Sequence, residues 1–270
     1  MDFEDFVSEA WTDHADDSPA VATRLQGQAL ALVTEPAQVP RLAHLAHHVF
    51  GEHLGRWSEG LHFLQQLAAL PACSSQADVA QGVQRHLASL QLAAGQADLR
   101  AQFDTSERIR ITALAAGDLA CHDAQRAATL LEDALAQSDL AALPATDLSH
   151  RVLAVTGNGI AGTLEEKPER SELERSLMIR AAQVARRHWE LAGTWLEIER
   201  AEYRLACTWQ QAGDLAQARQ HAQKCLEIVQ AHDNVPLEAF FGWEALGLVE
   251  RAAGNTAGHA QAVRQAQAAF

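Results

Sequence analysis

This chain has a single tyrosine and few valine, isoleucine or threonine residues. Those are the residues that fill pleated sheets, so a large sheet is excluded. Basic residues are also scarce: 21 Lys and Arg stand against 35 Asp and Glu, a formal charge of −14. Nucleic-acid binding needs a basic surface, and no nucleic-acid partner is expected. No apolar run approaches the roughly eighteen residues that read as a membrane span. The four cysteines, Cys73, Cys121, Cys207 and Cys225, never fall in C-x-x-C spacing, which removes a zinc ribbon and a redox dithiol. Each lies near small apolar residues, as a buried thiol does. The acidic N-terminus has no apolar core of a secretory signal. The expectation is a soluble, reduced, cytoplasmic protein. G-x-S-x-G and H-E-x-x-H are both missing, so no catalytic residue, resident metal or cofactor is assigned and no enzyme is expected.

What remains is helix-forming. Ala, Leu, Gln, Glu and Arg dominate, and breaks at Gly and Pro divide the chain into helical stretches. Helices are expected over 19–34, 40–54, 57–69, 77–93, 105–120 and 123–136, then from a cap at Asp147 or Ser149. They continue over 172–191, 194–212, 215–231, 236–252 and 256–268. Ser18 reads as an N-cap with Pro19 in the first turn, and Ser171 with Glu174 forms a capping box. Residues 1–17 carry Asp2, Glu4, Asp5, Glu9, Asp13, Asp16 and Asp17 and no Lys or Arg. Phe3, Phe6, Val7 and Trp11 make one helical stripe within that segment. It is expected either to dock on the body as a short helix or to extend as an arm. As an arm it would occupy the protein's own binding groove or meet a basic partner.

The stretch "RVLAVTGNGIAGTLEEK" (151–167) contains Gly157, Gly159 and Gly162 in G-x-G-x-x-G spacing. A dinucleotide site needs a strand before this string, a helix after it and an acidic residue about twenty positions on. Ala181 and Ala182 stand there instead. The glycines are therefore assigned to close helix contact, within a helix that they weaken or kink.

A repeat explains them better. "AEYRLACTWQQAGDLAQARQHAQKCLEI" (201–228) parallels "GWEALGLVERAAGNTAGHAQAVRQAQAAF" (242–270). Leu205-Ala206 matches Leu246-Gly247, and Gly213 matches Gly254. Trp243-x-x-Leu246-Gly247 and Gly213-Asp214 with Ala218 resemble the W-x-x-L-G start and G-D-x-x-x-A turn of the tetratricopeptide repeat. The resemblance covers 195–268 best, then 40–70 and 105–190, and least 71–104. It implies an all-α, right-handed superhelical array of antiparallel helix pairs (an α-solenoid) over 18–270, with residues 1–17 outside it.

The resemblance also implies a function: a non-enzymatic scaffold that holds a peptide or protein in the groove lined by first helices. By analogy the groove positions are Asn158, Arg200, Tyr203, Cys207, Gln210, Glu244 and Arg251, with Glu165 beside Asn158. Arg200, Tyr203 and Cys207 share one helix face by spacing. Apolar faces on the end helices leave room for self-association. The competing reading is a ligand- or metal-sensing module: His44, His48 and Glu52, spaced i, i+4 and i+8, share a face, and paired histidines chelate transition metals. The remaining polar clusters, Arg180/Arg186/Arg187/His188 and Glu165/Glu166/Glu172/Glu174, are assigned to solvated surface. Trp189, Trp195, Trp209 and Trp243 are assigned to packing.

Overall fold

The computed structural model describes residues 1–233 and 235–269. The structure is 80% helical, with no strand among the described residues. They form two compact units, Met1–Ala142 and Leu143–Phe270.

The first unit opens with α1 (Phe3–Asp13), capped by the Asp2 side chain, which accepts from the Asp5 N–H at 2.9 Å. Phe3, Phe6, Val7 and Ala10 are all buried, the stripe expected of an amphipathic helix. Arg41 grips Glu4 through two hydrogen bonds of 2.6 and 2.8 Å and stacks over Phe3. The acidic segment is therefore a docked helix that fills the unit's own core, rather than an extended arm. α2 (Ser18–Gln28) is capped by Asp17, one residue before the expected Ser18, and tightens into a 3-10 turn over Ala29–Leu32.

α3 (Gln38–His47) runs into a π-turn, His48–His53, before Gly55 turns the chain at φ +58° into α4 (Trp57–Ala68). The short α5 (Pro71–Ser74), α6 (Ala77–Ala93), α7 (Thr105–Leu119) and α8 (Ala124–Ala141) complete the unit. α8 outruns its expected end at 136 because nothing breaks it before Ala142, which closes it in a left-handed conformation at φ +45°. Large side chains fill the centre: Phe6, Leu25, Leu42, Leu45, Phe50, Phe63, Leu64, Leu67 and Leu90.

The second unit is a regular run of hairpins: α9 (Leu148–Glu165), α10 (Glu172–Ala192), α11 (Trp195–Ala212), α12 (Leu215–Ala231), α13 (Pro236–Ala252) and α14 (Thr256–Ala268). Each helix packs on the next, and α11 also touches α9 and α13, so these three first helices form one layer. Capping boxes at Ser171/Glu174 and Thr194/Glu197 start α10 and α11. The matched glycines Gly213 and Gly254 close α11 and α13 at φ +88° and +71°, where a side chain would be strained. Ala206, Ala222 and Ala245 meet at the centre of the stack.

The glycine string lies inside α9, which is unbroken. A Cβ on Gly157 would come within 2.6 Å of the Ala181 carbonyl oxygen and 3.0 Å of the Ala185 nitrogen. α9 and α10 thus touch backbone to backbone at this point. Gly159 faces open space, so nothing there requires a glycine.

Candidate functional site

Two places gather functional side chains, one in each unit. In the second unit the expected groove residues fall on the layer of α9, α11 and α13 and are tied to one another. The Tyr203 hydroxyl donates to Glu244 Oε2 at 3.0 Å, 41 residues away, which is the repeat offset. Arg204 donates to Glu165 Oε2 at 2.5 Å and to Asn158 Oδ1 at 3.3 Å, and Thr208 donates to Glu165 Oε1 at 2.5 Å. Burial pushes the Glu165 carboxyl above its ordinary range despite Arg204 beside it. Cys207, half-buried, is pushed up to about 11 by burial and by the Glu165 carboxylate. Glu165, expected both at a groove position and in a solvated acidic patch, is therefore a hub of this layer.

Arg200 Nη2 donates to Glu238 Oε1 at 2.7 Å, with Nε reaching Oε2 at 3.3 Å. The Arg200 side chain is 58% exposed, whereas Glu238 is 4% exposed. Glu238 is held low by Arg200, while burial and the neighbouring Glu238 carboxylate raise Glu199 to about 7. Phe241, 37% exposed, meets Tyr203 edge to face at 5.7 Å. Gln210 is half-buried and Arg251 is exposed at the far end of α13. The structure thus joins Asn158 to α11 through Arg204, and Tyr203 to Glu244. His188 departs from its surface assignment and is buried against His150, whereas Glu174 caps α10 as expected and also pairs with Lys167.

In the first unit, histidines and carboxylates converge around the π-turn. His48 Nδ1 donates to Glu52 Oε2 at 2.7 Å, and His48 Nε2 lies 3.0 Å from His53 Nε2. His14, at the end of α1, donates from Nδ1 to the Trp11 carbonyl at 2.7 Å. Single ring nitrogens of His14, His48 and His53 all lie within 4.8 Å of one another. Deeper in, His47 Nε2 stands 3.0 Å from Asp118 Oδ1, both residues essentially inaccessible at 1% and 0%. The Ser89 hydroxyl donates to the other Asp118 oxygen at 3.0 Å. His47, Glu52 and Asp118 also bring ligand atoms within 4.8 Å of one another.

The cause is local. An α-helix sets residues five apart about 140° around its axis, so His48 and His53 would diverge. The wider π-turn closes i→i+5 hydrogen bonds and carries His53 back over His48. Gly51, within that turn, lacks the Cβ that would overlap Asp118 Oδ1 and crowd Leu90, which lets α7 approach. Burial opposes ionisation of Glu52, but the His48 hydrogen bond and the charges of His48, His47 and His44 outweigh it and hold the carboxyl at about 2. Burial and the charges of His48 and His14 hold His53 at about 4.

His48 and Glu52 therefore meet as the sequence spacing implies. His44 does not join them: it stacks at 6.4 Å from His48 and against Trp11. His14, His47, His53 and Asp118 lay outside that expectation. A straight helix over 40–54 hides the pairing, and no sequence signal marks the π-turn beyond Gly51 itself. Compared with known proteins, no protein-family model, curated protein or solved structure matches this chain.

Proposed function

We infer that the second unit is a tetratricopeptide-like scaffold whose layer of first helices binds an extended or helical segment of a protein partner. One observation carries this reading: Arg200 and Phe241 face solvent on α11 and α13, with the half-buried Tyr203 packed edge to face on Phe241. Glu238 and Glu244 fix the Arg and Tyr heads from below. Such residues dominate interface energetics, and groups already held in place lose little freedom on binding. The guanidinium retains donors beyond the two given to Glu238. The matching segment therefore carries a carboxylate next to an aliphatic or aromatic anchor. In this reading the protein acts by contact and shape rather than by catalysis, in keeping with the mutual pairing of polar groups along the layer.

Selection from a displayed peptide library against the full chain tests it. Enriched peptides are expected to carry an acidic residue beside an apolar one and to lose binding to Arg200→Glu and Phe241→Ala variants. Peptides that bind wild type and both variants equally would place the partner elsewhere and sink the reading.

A further inference from the structure

We propose that His14, His48 and His53 form a binding site for a divalent transition metal of the zinc class, with the fourth position open to water. The proposal concerns the first unit and stands apart from the partner-binding reading.

Three features of the geometry support it. First, the nitrogens of three histidines from two separate segments converge on one point. His48 Nε2 and His53 Nε2 are 3.0 Å apart, close to the roughly 3.3 Å between nitrogens on a tetrahedral zinc with 2.0–2.1 Å bonds. A ring nitrogen of His14 lies within 4.8 Å of both. A coordination shell needs the His14 nitrogen to close in and the His48 and His53 nitrogens to part slightly.

Second, the tautomers are already set. A metal-bound histidine usually donates its remaining N–H to a carboxylate or a backbone carbonyl, which fixes the ring and makes the bound nitrogen more basic. His48 does this through Nδ1 to Glu52 at 2.7 Å, and His14 does it through Nδ1 to the Trp11 carbonyl at 2.7 Å. In each ring the nitrogen left over is Nε2. His48 Nε2 and His53 Nε2 face each other at 3.0 Å, and a metal ion would take both lone pairs.

Third, the surroundings suit a dication. The Glu52 carboxylate is one ring away and balances its charge. The Trp11 indole packs at 5.2 Å from His48 and 5.1 Å from His14, giving the site an apolar wall. His53 is exposed, so an ion has a route in. The backbone is committed to this arrangement by the π-turn, a rare form concentrated at functional sites. The inner group of His47, Glu52 and Asp118 is the alternative place for an ion. It is closed to solvent on two of its three members, with His47 Nε2 standing 3.0 Å from Asp118 Oδ1.

The test uses the untagged full chain. Zn²⁺ is titrated by calorimetry, and Co²⁺ by visible absorption. One equivalent of Zn²⁺ is expected to bind, with a tetrahedral Co²⁺ spectrum and a raised melting temperature, since an ion that binds only the folded state stabilises it. His53→Ala and His14→Ala are each expected to weaken Zn²⁺ binding at least tenfold, with unchanged far-ultraviolet circular dichroism. Glu52→Gln is expected to weaken it by about 10–100-fold, and the exposed His62→Ala is expected to change nothing. Arg200→Glu, on the other unit, is likewise expected to leave Zn²⁺ binding intact. The proposal is overturned by no saturable binding, by wild-type affinity in His53→Ala, or by loss of the ion in Asp118→Asn with His53→Ala unaffected. The last result would move the metal to the inner group.

Discussion

Phe6, Phe50 and Phe63 fill the middle of the first unit, whereas Ala206, Ala222 and Ala245 meet in the second. The contrast extends to the backbone. The first unit interrupts its helices with 3-10 turns and a π-turn, while the second repeats one hairpin with glycine-closed turns 41 residues apart. Bulky side chains hold irregular helices at odd angles, and irregular helices can aim several imidazoles at one point. Small side chains let regular helices lie close, and regular helices produce polar pairs one repeat apart, such as Tyr203–Glu244. One architecture favours a point-like site and the other an extended face.

Substitutions can break that contrast, and the largest effect is expected in the first unit. Phe50→Ala leaves a void under the π-turn and should cost about 3–5 kcal/mol, read as a lower urea midpoint and lost amide protection in residues 1–142. Equal loss across residues 143–269 would show that the two cores are not separate in stability. Next comes Gly157→Ala, whose new methyl collides with the α10 backbone. It should destabilise the second unit by about 1–3 kcal/mol; a neutral result would mean that α9 and α10 can slide apart freely. Two residues on, Gly159→Ala meets nothing and should stabilise by about 1 kcal/mol through helix propensity. Opposite signs at two glycines of one motif would confirm that helix contact, rather than phosphate binding, sets the spacing.

The smallest effect is a slope. Glu199 is raised from 4.5 to about 7 by burial and by the Glu238 carboxylate. The folded state therefore holds a proton that the unfolded chain releases, so this group's contribution to stability is full below 4.5 and is lost as pH rises to about 7. Glu199→Gln should flatten the decline in urea midpoint between about pH 5 and about pH 8. An unchanged slope would assign the decline to another group.

Local chemistry was legible and distant pairing was not. The capping box at Ser171/Glu174, the limits of α6, and the turn glycines Gly213 and Gly254 all follow from residues within a few positions of one another. The docking of α1 was half legible: its stripe was clear, but its receiving surface is made by residues from distant segments. His150 and His188, buried with Nδ1 atoms 3.1 Å apart, are separated by 38 residues, and only helix packing brings them together. Asp118 lies within the helix expected over 105–120 with no mark of a special role, yet it is fully buried against His47. On α11, spacing alone puts Arg200, Tyr203 and Cys207 on one face of a continuous helix. Their partners on α9 and α13 depend on the distance between hairpins, which spacing within one helix does not encode.

The π-turn has a consequence for how the histidine cluster can be gained or lost. It holds one more residue than an α-helical turn, and α4 begins only after the Gly55 turn at φ +58°. Deleting a single residue between 48 and 53 would return the segment to α-helical spacing and swing the two imidazoles apart. The cluster is thus written in the length of the chain as much as in its letters: a one-codon indel can switch it on or off where point changes would have to work residue by residue.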